Sequence, residues 1–334
     1  MEGPFQLSIL IPTWNRADKL REQIDAILPF LTSEIELLIS DNGSDDATPE
    51  VVQEAISSNP SASIRYLRNP TNIGADGNIR KALQSGRGQW LWLIGDDDAL
   101  NFAILPELLP VVTGSKQQVH LLQDSPPGMR SIRSHALSRM EFIAGPDRLG
   151  NDLLQLGLVI CNRAAVTSVP AARWEEFAGL QHAQLLVNSE GLKQGGVLVS
   201  EVSLYRQARA GETPRWDLFA GHLGAWRANL VAFPDAEALI SARERRLRQS
   251  AIFDALVGRT LVGKRTLTTD WLFCLSWFSL RAKLKVCLLL ALSNLGPRGR
   301  AALLSKLFPG NRAMIQRIQR EFGAGKAALA NGLT

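Results

Sequence analysis

The chain has 334 residues, 46% hydrophobic and 21% charged, a composition that supports a large packed core and excludes a disordered or fibrous polymer. Its three cysteines, Cys161, Cys274 and Cys287, lie far apart, which excludes a disulfide framework and a zinc spacing and points to a reducing compartment. The net charge of +5 conceals two parts of opposite sign: from Ser241 onward 17 Lys and Arg face 4 Asp and Glu, while the rest carries 20 against 28.

No basic leader precedes the first apolar run, so no secretory signal is expected. Leu7–Ile11 ends at Pro12 and reads as a buried strand. Asp18–Leu31 puts Leu20, Ile24, Ile27, Leu28 and Leu31 on one helical face. Glu36–Ser40 is the second strand and runs into the turn cluster Asp41-Asn42-Gly43-Ser44-Asp45. Thr48 and Pro49 open a helix as N-cap and first residue, with Asp45 and Asp46 read as turn and cap residues. Ile64–Leu67 is a third strand, Asp76–Ser85 a short helix stopped by Gly86 and Gly88, and Trp90–Ile94 a fourth strand.

This alternation predicts a mostly parallel sheet covered by helices, with ligands at the carboxyl ends of the strands. Three of those ends are polar: Thr13, Asn15 and Arg16 after the first strand, Asp41, Ser44 and Asp45 after the second, and Asp96, Asp97 and Asp98 after the fourth. Two readings of the aspartate triplet stand at this point. It is either a solvated acidic turn or a carboxylate site suited to Mg²⁺ or Mn²⁺, ions that usually also hold substrate phosphates. Three polar loops converging on one edge favour a site.

The middle of the chain is less regular. Leu156–Cys161 and Gly196–Val202 read as strands, and His182 follows Phe177-Ala178-Gly179-Leu180-Gln181. Helical patterns take over from Trp216. In the basic last third, Trp271–Leu280 and Val286–Leu292 are apolar runs separated by Arg281, Lys283 and Lys285. Neither run reaches the ~20 residues of a membrane span. Aromatic and aliphatic residues beside Lys and Arg suit a helix lying in a membrane interface, and equally suit core-packed helices with a solvated basic face.

Four segments together carry a resemblance. Ser8-Ile9-Leu10-Ile11-Pro12-Thr13-Trp14-Asn15-Arg16, Leu38-Ile39-Ser40-Asp41-Asn42-Gly43-Ser44-Asp45-Asp46-Ala47-Thr48, Asn69-Pro70-Thr71-Asn72-Ile73-Gly74 and Gly95-Asp96-Asp97-Asp98 resemble, in order and spacing, the family 2 glycosyltransferases of the GT-A fold. The Gly-Asp-Asp-Asp form is most similar to their abequosyltransferase-like branch. The resemblance is strong over residues 6–100, weaker to about Trp216 and absent from the tail.

What the resemblance implies is as follows. Residues 1–215 form a GT-A domain, an α/β fold whose first hundred residues bind the nucleotide-sugar and whose residues 101–215 serve the acceptor; 216–334 is a basic, helical extension. Pro12, Thr13, Asn15, Arg16, Asp41, Ser44, Asn78, Lys81 and Asp96 line the donor site, with Asp41 accepting from the base. Lys81 and Arg80 are read either as phosphate or sugar contacts or as surface charges. Asp96 and Asp98 bind Mg²⁺ or Mn²⁺, and Asp97 belongs to the catalytic centre.

An inverting transferase of this family usually takes its general base from a Glu-Asp pair, which is missing here. His182 occupies roughly that place and is chemically competent near neutral pH, although a lone His is commonly structural. Glu190, Glu212 and Asp217 are further candidates. Tyr205, Arg206 and Arg209 to Trp216 resemble the branch's flexible acceptor-side loop.

The function so implied is metal-dependent sugar transfer from a nucleotide-diphosphate donor to a lipid-linked or growing surface-polysaccharide acceptor. It would take place in the cytoplasm, at the inner face of the membrane, with the tail on anionic lipid and with no nucleic-acid partner expected. A nucleotidyltransferase would want a Gly-rich loop where Pro12-Thr13-Trp14-Asn15-Arg16 stands, and no strand is followed by a dinucleotide fingerprint. A nucleotide-sugar-binding protein without transferase activity is the non-enzymatic alternative; the retained Asp41, Asp96 and Asp98 speak against it.

Overall fold

The computed structural model describes residues 5–123, 132–144, 156–180, 182–202 and 227–240, with isolated positions 204, 225 and 306. The chain separates into two compact units, Met1–Thr213 with Arg227–Ile240, and Pro214–Trp226 with Ser241–Thr334. Almost all described residues belong to the first unit. The basic tail, Tyr205 to Trp216, Glu212 and Asp217 lie outside them.

The strands are β1 (Phe5–Thr13), β2 (Ile35–Asp41), β3 (Ile64–Arg68), β4 (Gly88–Leu93), β5 (Gln118–Gln123), β6 (Arg133–Leu137), β7 (Val159–Asn162) and β8 (Val197–Val202). The helices between them are α1 (Ala17–Ile27), α2 (Thr48–Ser58), α3 (Ala75–Ser85), α4 (Leu105–Gly114), α5 (Arg139–Ala144), α6 (Arg163–Ser168), α7 (Ala171–Glu176) and α8 (Gln184–Lys193). The strands form one sheet in the order β3-β2-β1-β4-β7-β5-β8-β6. β1 to β4 pair in parallel; β7 runs antiparallel to β4 and β5, β8 is parallel to β5, and β6 closes the edge antiparallel to β8.

Alternation along the central strands sends side chains to both faces, and both faces are covered. Leu7, Ile9, Ile11, Leu37, Ile39, Trp90 and Trp92 pack with Leu20, Ile24 and Ile27 of α1, Val51 and Val52 of α2, and Leu105, Leu108 and Val112 of α4. Leu10, Leu38, Leu91, Leu93 and Cys161 pack on the other side with Ile79, Ala82 and Leu83 of α3, Val166 of α6, Trp174 of α7 and Leu185 and Leu186 of α8. Each such side chain contributes about 1.5–3 kcal/mol by leaving water, which fixes the register of the four parallel strands.

The departures from sequence expectation have local causes. The first helix stops at Ile27 and becomes a 3-10 turn over Leu28–Phe30, because Pro29 has no N–H for the α pattern. The second begins at Thr48, and Asp46 supplies its cap: Asp46 Oδ1 accepts from Thr48 N at 3.0 Å and Oδ2 from Ala17 N, the first residue of α1, at 3.0 Å. Residues 156–158 do not pair as strand; Gly157 turns there with φ +85° before β7 starts.

At the amino edge of the sheet, buried Glu36 accepts from Ser8 Oγ, from Arg65 Nε at 2.8 Å and from Arg87 N at 2.9 Å. That ties β1, β2, β3 and the approach to β4 at the end remote from the polar loops.

Candidate active site at the carboxyl edge of the sheet

Because β1 to β4 are parallel, their carboxyl ends share one edge. Thr13 lies beside Asp41, and Asp41 beside Arg68. Beyond β4, Ile94 N still bonds Leu10 O at 3.0 Å, so the chain is carried straight into Gly95 and Asp96.

Asp96 is buried. Thr13 Oγ1 donates to its Oδ2 at 2.7 Å and Arg16 Nη1 to its Oδ1 at 2.9 Å. The other arm of the same guanidinium reaches Oδ2 of exposed Asp97 at 2.6 Å. Asp98 turns back on its own loop, where its Oδ2 accepts from Gly95 N at 2.7 Å. A methyl group on Gly95 would come within 3.0 Å of that oxygen, and one on Gly157 within 3.3 Å, so the carboxylate sits in a niche with backbone on two sides. From α1, Gln23 Nε2 holds Gly95 O at 3.1 Å. Burial pushes the Asp96 carboxyl up to about 6, against the opposing pull of Thr13 and Arg16. Burial likewise pushes Asp98 up to about 6, with Asp97 and Asp96 adding to the push.

The second loop is organised by Asp41, which is fully buried. Its Oδ1 accepts from Ser44 N at 2.9 Å and Ser44 Oγ at 2.6 Å, and its Oδ2 from Tyr66 OH at 2.6 Å. Arg68 Nε lies 3.5 Å from Oδ2, and its Nη2 donates to Ser44 O at 2.6 Å. Gly43 has φ +76°, and a Cβ there would stand 2.9 Å from Thr71 C, so the turn is closed to any side chain. Asn15, left-handed at φ 53°, joins this loop to the first: its N–H donates to Ser44 Oγ at 2.9 Å and its Oδ1 accepts from Asp45 N at 2.9 Å. Pro12 is partly buried on β1 beside Ser40.

A cluster of amides links these loops to α3. Asn42 Nδ2 donates to Asn72 Oδ1 at 2.9 Å, Asn69 Nδ2 to Asn42 Oδ1 at 3.1 Å, and Lys81 Nζ to Asn69 Oδ1 at 2.5 Å. Asn78 is buried, with Oδ1 accepting from Ser40 Oγ at 2.8 Å and Nδ2 donating to Ser40 O at 2.8 Å. Both ends of that amide face inward, so Asn78 is a strut between α3 and β2 rather than a group offered to a ligand.

His182 stands apart from these bonds, in the segment between α7 and α8. Its carbonyl accepts from Leu185 N at 2.9 Å. Glu190, within α8, pairs with Lys193 at 2.7 Å.

Residues 8–162 match the model of the glycosyl transferase family 2. This stretch, a little under half of the chain, is similar to family 2 glycosyltransferase domains. Abequosyltransferase RfbV of Salmonella typhimurium is 36% identical over 96 residues, 28% of each chain. The GalNAc(5)-diNAcBac-PP-undecaprenol beta-1,3-glucosyltransferase of Campylobacter jejuni is 30% identical over 105 residues, 31% of this chain and 33% of that one. The matches to these two curated relatives therefore span a third or less of their length. Among solved structures, TarS 1-349 of S. aureus superimposes with a TM-score of 0.53 at 15% identity, over 96% of this chain and 92% of that one. Mannosyltransferase PcManGT from Pyrobaculum calidifontis, solved with GDP-Man and Mn²⁺, gives 0.51 at 12% identity over 92% and 90%. The shared fold is GT-A, and the mixed sheet with its four leading parallel strands is its framework in this chain.

The acidic end of this edge is chemically suited to a hard divalent cation. Two of the three carboxylates, Asp96 and Asp97, meet the guanidinium of Arg16, while Asp98 turns to Gly95 N; burial first, and the neighbouring carboxylates after it, raise the pKa of Asp96 and Asp98, a cost that a bound cation would relieve. Among the described residues no group of three or more His, Cys, Asp or Glu side chains is placed to hold a metal ion by itself. A cation here would take two carboxylates and complete its shell with water and phosphate oxygens, the habit of Mg²⁺ and its relatives.

Sequence reasoning missed Tyr66, Arg68 and the Asn42–Asn69–Asn72 cluster. The Asn-Pro-Thr-Asn-Ile-Gly run carried the signal for the amides; Tyr66 and Arg68 read only as strand residues.

Proposed function

We propose that the chain transfers a sugar from a nucleoside-diphosphate donor to an acceptor hydroxyl on a lipid-linked or growing surface glycan. The observation that carries this reading is the bonding of Thr13 and Arg16, from the loop after β1, to buried Asp96, from the loop after β4, within the stretch similar to family 2 domains. Thr13, Asn15, Arg16, Asp41 and Ser44 shape the nucleoside end, with Pro12 beneath them and Asn78 holding the amide cluster in place. Lys81 lends positive charge to the diphosphate. Asp96 and Asp98 hold Mg²⁺ or Mn²⁺, which when bound supplies charge neutralisation of the departing diphosphate. Arg16 keeps Asp96 and Asp97 at fixed separation, and Asp97 is offered to the sugar hydroxyls. His182 takes the acceptor proton as the acceptor oxygen bonds the anomeric carbon. The bond from that carbon to the phosphate oxygen breaks, and the nucleoside diphosphate leaves with the electron pair.

Two facts support an acceptor at a membrane surface. The Campylobacter relative is by name an undecaprenol-linked glycan glucosyltransferase, and residues from Ser241 onward carry 17 Lys and Arg against 4 Asp and Glu. No helix among the described residues is long and apolar enough to cross a membrane. A thermal-shift panel of UDP, GDP, CDP and dTDP with Mn²⁺ tests the donor reading. One nucleotide should raise the melting temperature clearly above the rest, since saturation at 100-fold its Kd adds about 2.7 kcal/mol. A flat panel would refute a nucleotide site.

A further inference from the structure

We infer that Asp76 is a positioning residue: it fixes the segment bearing His182 against the donor-binding half, so that base and donor are presented in register. This rests on the proposed transferase reading with His182 as base. Asp76 lies in the first turn of α3, two residues beyond Gly74, whose N–H is held by Asn72 Oδ1 at 2.8 Å. The amides that organise the donor edge therefore end where Asp76 begins. Its carboxylate crosses to the other half of the domain and accepts two backbone N–H groups there. Oδ2 takes Gly179 N at 2.9 Å, and Oδ1 takes Ala183 N at 3.1 Å. These bonds bracket His182, one donor being its immediate neighbour and the other three residues before it.

Ala183 is the residue at the amino terminus of α8, and its own side chain supplies no cap. The Asp76 carboxylate thus meets the positive ends of two helices at once, α3 from within its first turn and α8 across the chain, which makes the bridge electrostatically favourable at both ends. One turn along the same face of α3, Arg80 lies 5.5 Å over the Trp174 ring and pairs with Glu175 at 3.1 Å. Residues 76 and 80 together dock the 174–183 segment on the helix that follows the donor loop.

The proposed reaction needs this alignment. Transfer requires the base and the anomeric carbon at hydrogen-bonding and near-attack distances from one acceptor oxygen, and an ångström of drift costs rate without costing donor affinity. Loosening the segment should therefore lower kcat and leave nucleotide binding alone. The test compares wild type, Asp76→Asn, Asp76→Ala and His182→Ala. Calorimetry with UDP, GDP, CDP and dTDP in Mn²⁺ measures binding. Release of nucleoside diphosphate from the corresponding sugar nucleotides, with a total lipid extract as acceptor, measures turnover.

The expected result is a kcat at least tenfold lower in Asp76→Ala and intermediate in Asp76→Asn, which keeps one acceptor oxygen. Donor KM and nucleotide affinity should stay within twofold, and deuterium uptake at 179–183 should be faster. Asp76→Asn carries the test if the alanine variant does not fold. Wild-type turnover in both Asp76 variants beside an inactive His182→Ala would overturn the role of Asp76 alone. A loss of nucleotide affinity matching the loss of kcat would overturn it too, making Asp76 part of the donor site. Wild-type turnover in His182→Ala would overturn the base assignment, and with it what Asp76 positions.

Discussion

Replacing Asp98 by Asn should stabilise the protein while destroying its proposed activity. Burial holds the Asp98 carboxyl at about 6 against an ordinary value of 3.8, so the fold favours the protonated form. The stability this group contributes is full below the unfolded-state value near 4 and is lost as pH rises through about 6. The loss is roughly two pKa steps at about 1.4 kcal/mol each, or about 3 kcal/mol above pH 7. Asn keeps an oxygen for the Gly95 N–H and carries no charge, so it should recover about 1–3 kcal/mol of this at pH 7.5. At about 2–4 °C per kcal/mol for a domain of this size, the melting temperature should rise by about 2–12 °C. At pH 4, where Asp98 is already protonated, the two proteins should melt together. Adding Mn²⁺ at pH 7.5 should raise the wild-type melting temperature and leave Asp98→Asn nearly unmoved, and sugar transfer should be absent in the variant. A variant that melts lower than wild type at pH 7.5, or that shows the same difference at pH 4, would refute the reasoning.

Glu36→Gln should cost about 2–3 kcal/mol in urea denaturation, because it leaves Arg65, 23% exposed, without its buried counter-charge. Nucleotide affinity should be unchanged, as Glu36 lies at the opposite edge of the sheet, and a cost below about 0.5 kcal/mol would contradict the buried pairing. Gly43→Ala places a Cβ 2.9 Å from Thr71 C at φ +76°, and should lose at least about 1–2 kcal/mol from backbone strain alone, together with nucleotide affinity. Normal calorimetry in that variant would show that the turn is not needed for the donor site. The full chain should sediment with anionic but not with neutral vesicles, losing binding in high salt and on replacing Arg281, Lys283 and Lys285 by Gln. Equal binding to both vesicle types would remove the electrostatic argument for the tail.

The parts of the site legible in the sequence were those carried by chain order. A short apolar run followed at once by polar residues marks a strand end, and β1, β2 and β4 each announced theirs, so Thr13, Arg16, Asp41 and Asp96 were expected on one edge and are found there. What chain order does not carry is side-chain direction. Asn78 looked like a donor ligand and turns its amide into the protein, and Asp76, named only as the first residue of a helix, reaches across 103 and 107 positions to two backbone amides. Other elements were also hidden, among them α4, β5 and β6. α4 carries Pro106 at its start and Pro110 within, which mask a helix whose Leu105, Leu108 and Val112 are buried. β6 is an edge strand of mostly exposed residues without an apolar alternation, and in β5 buried Gln118 and His120 blur the strand pattern.

The most direct measurement is calorimetry of the nucleoside diphosphate preferred in the thermal-shift panel, on wild type and on Asp96→Asn, with Mn²⁺ and with EDTA. Wild type with Mn²⁺ should bind at least tenfold more tightly than in EDTA, and Asp96→Asn should lose that difference. Equal affinity in the two conditions, or a metal effect untouched by Asp96→Asn, would contradict a cation-assisted diphosphate site at the end of β4.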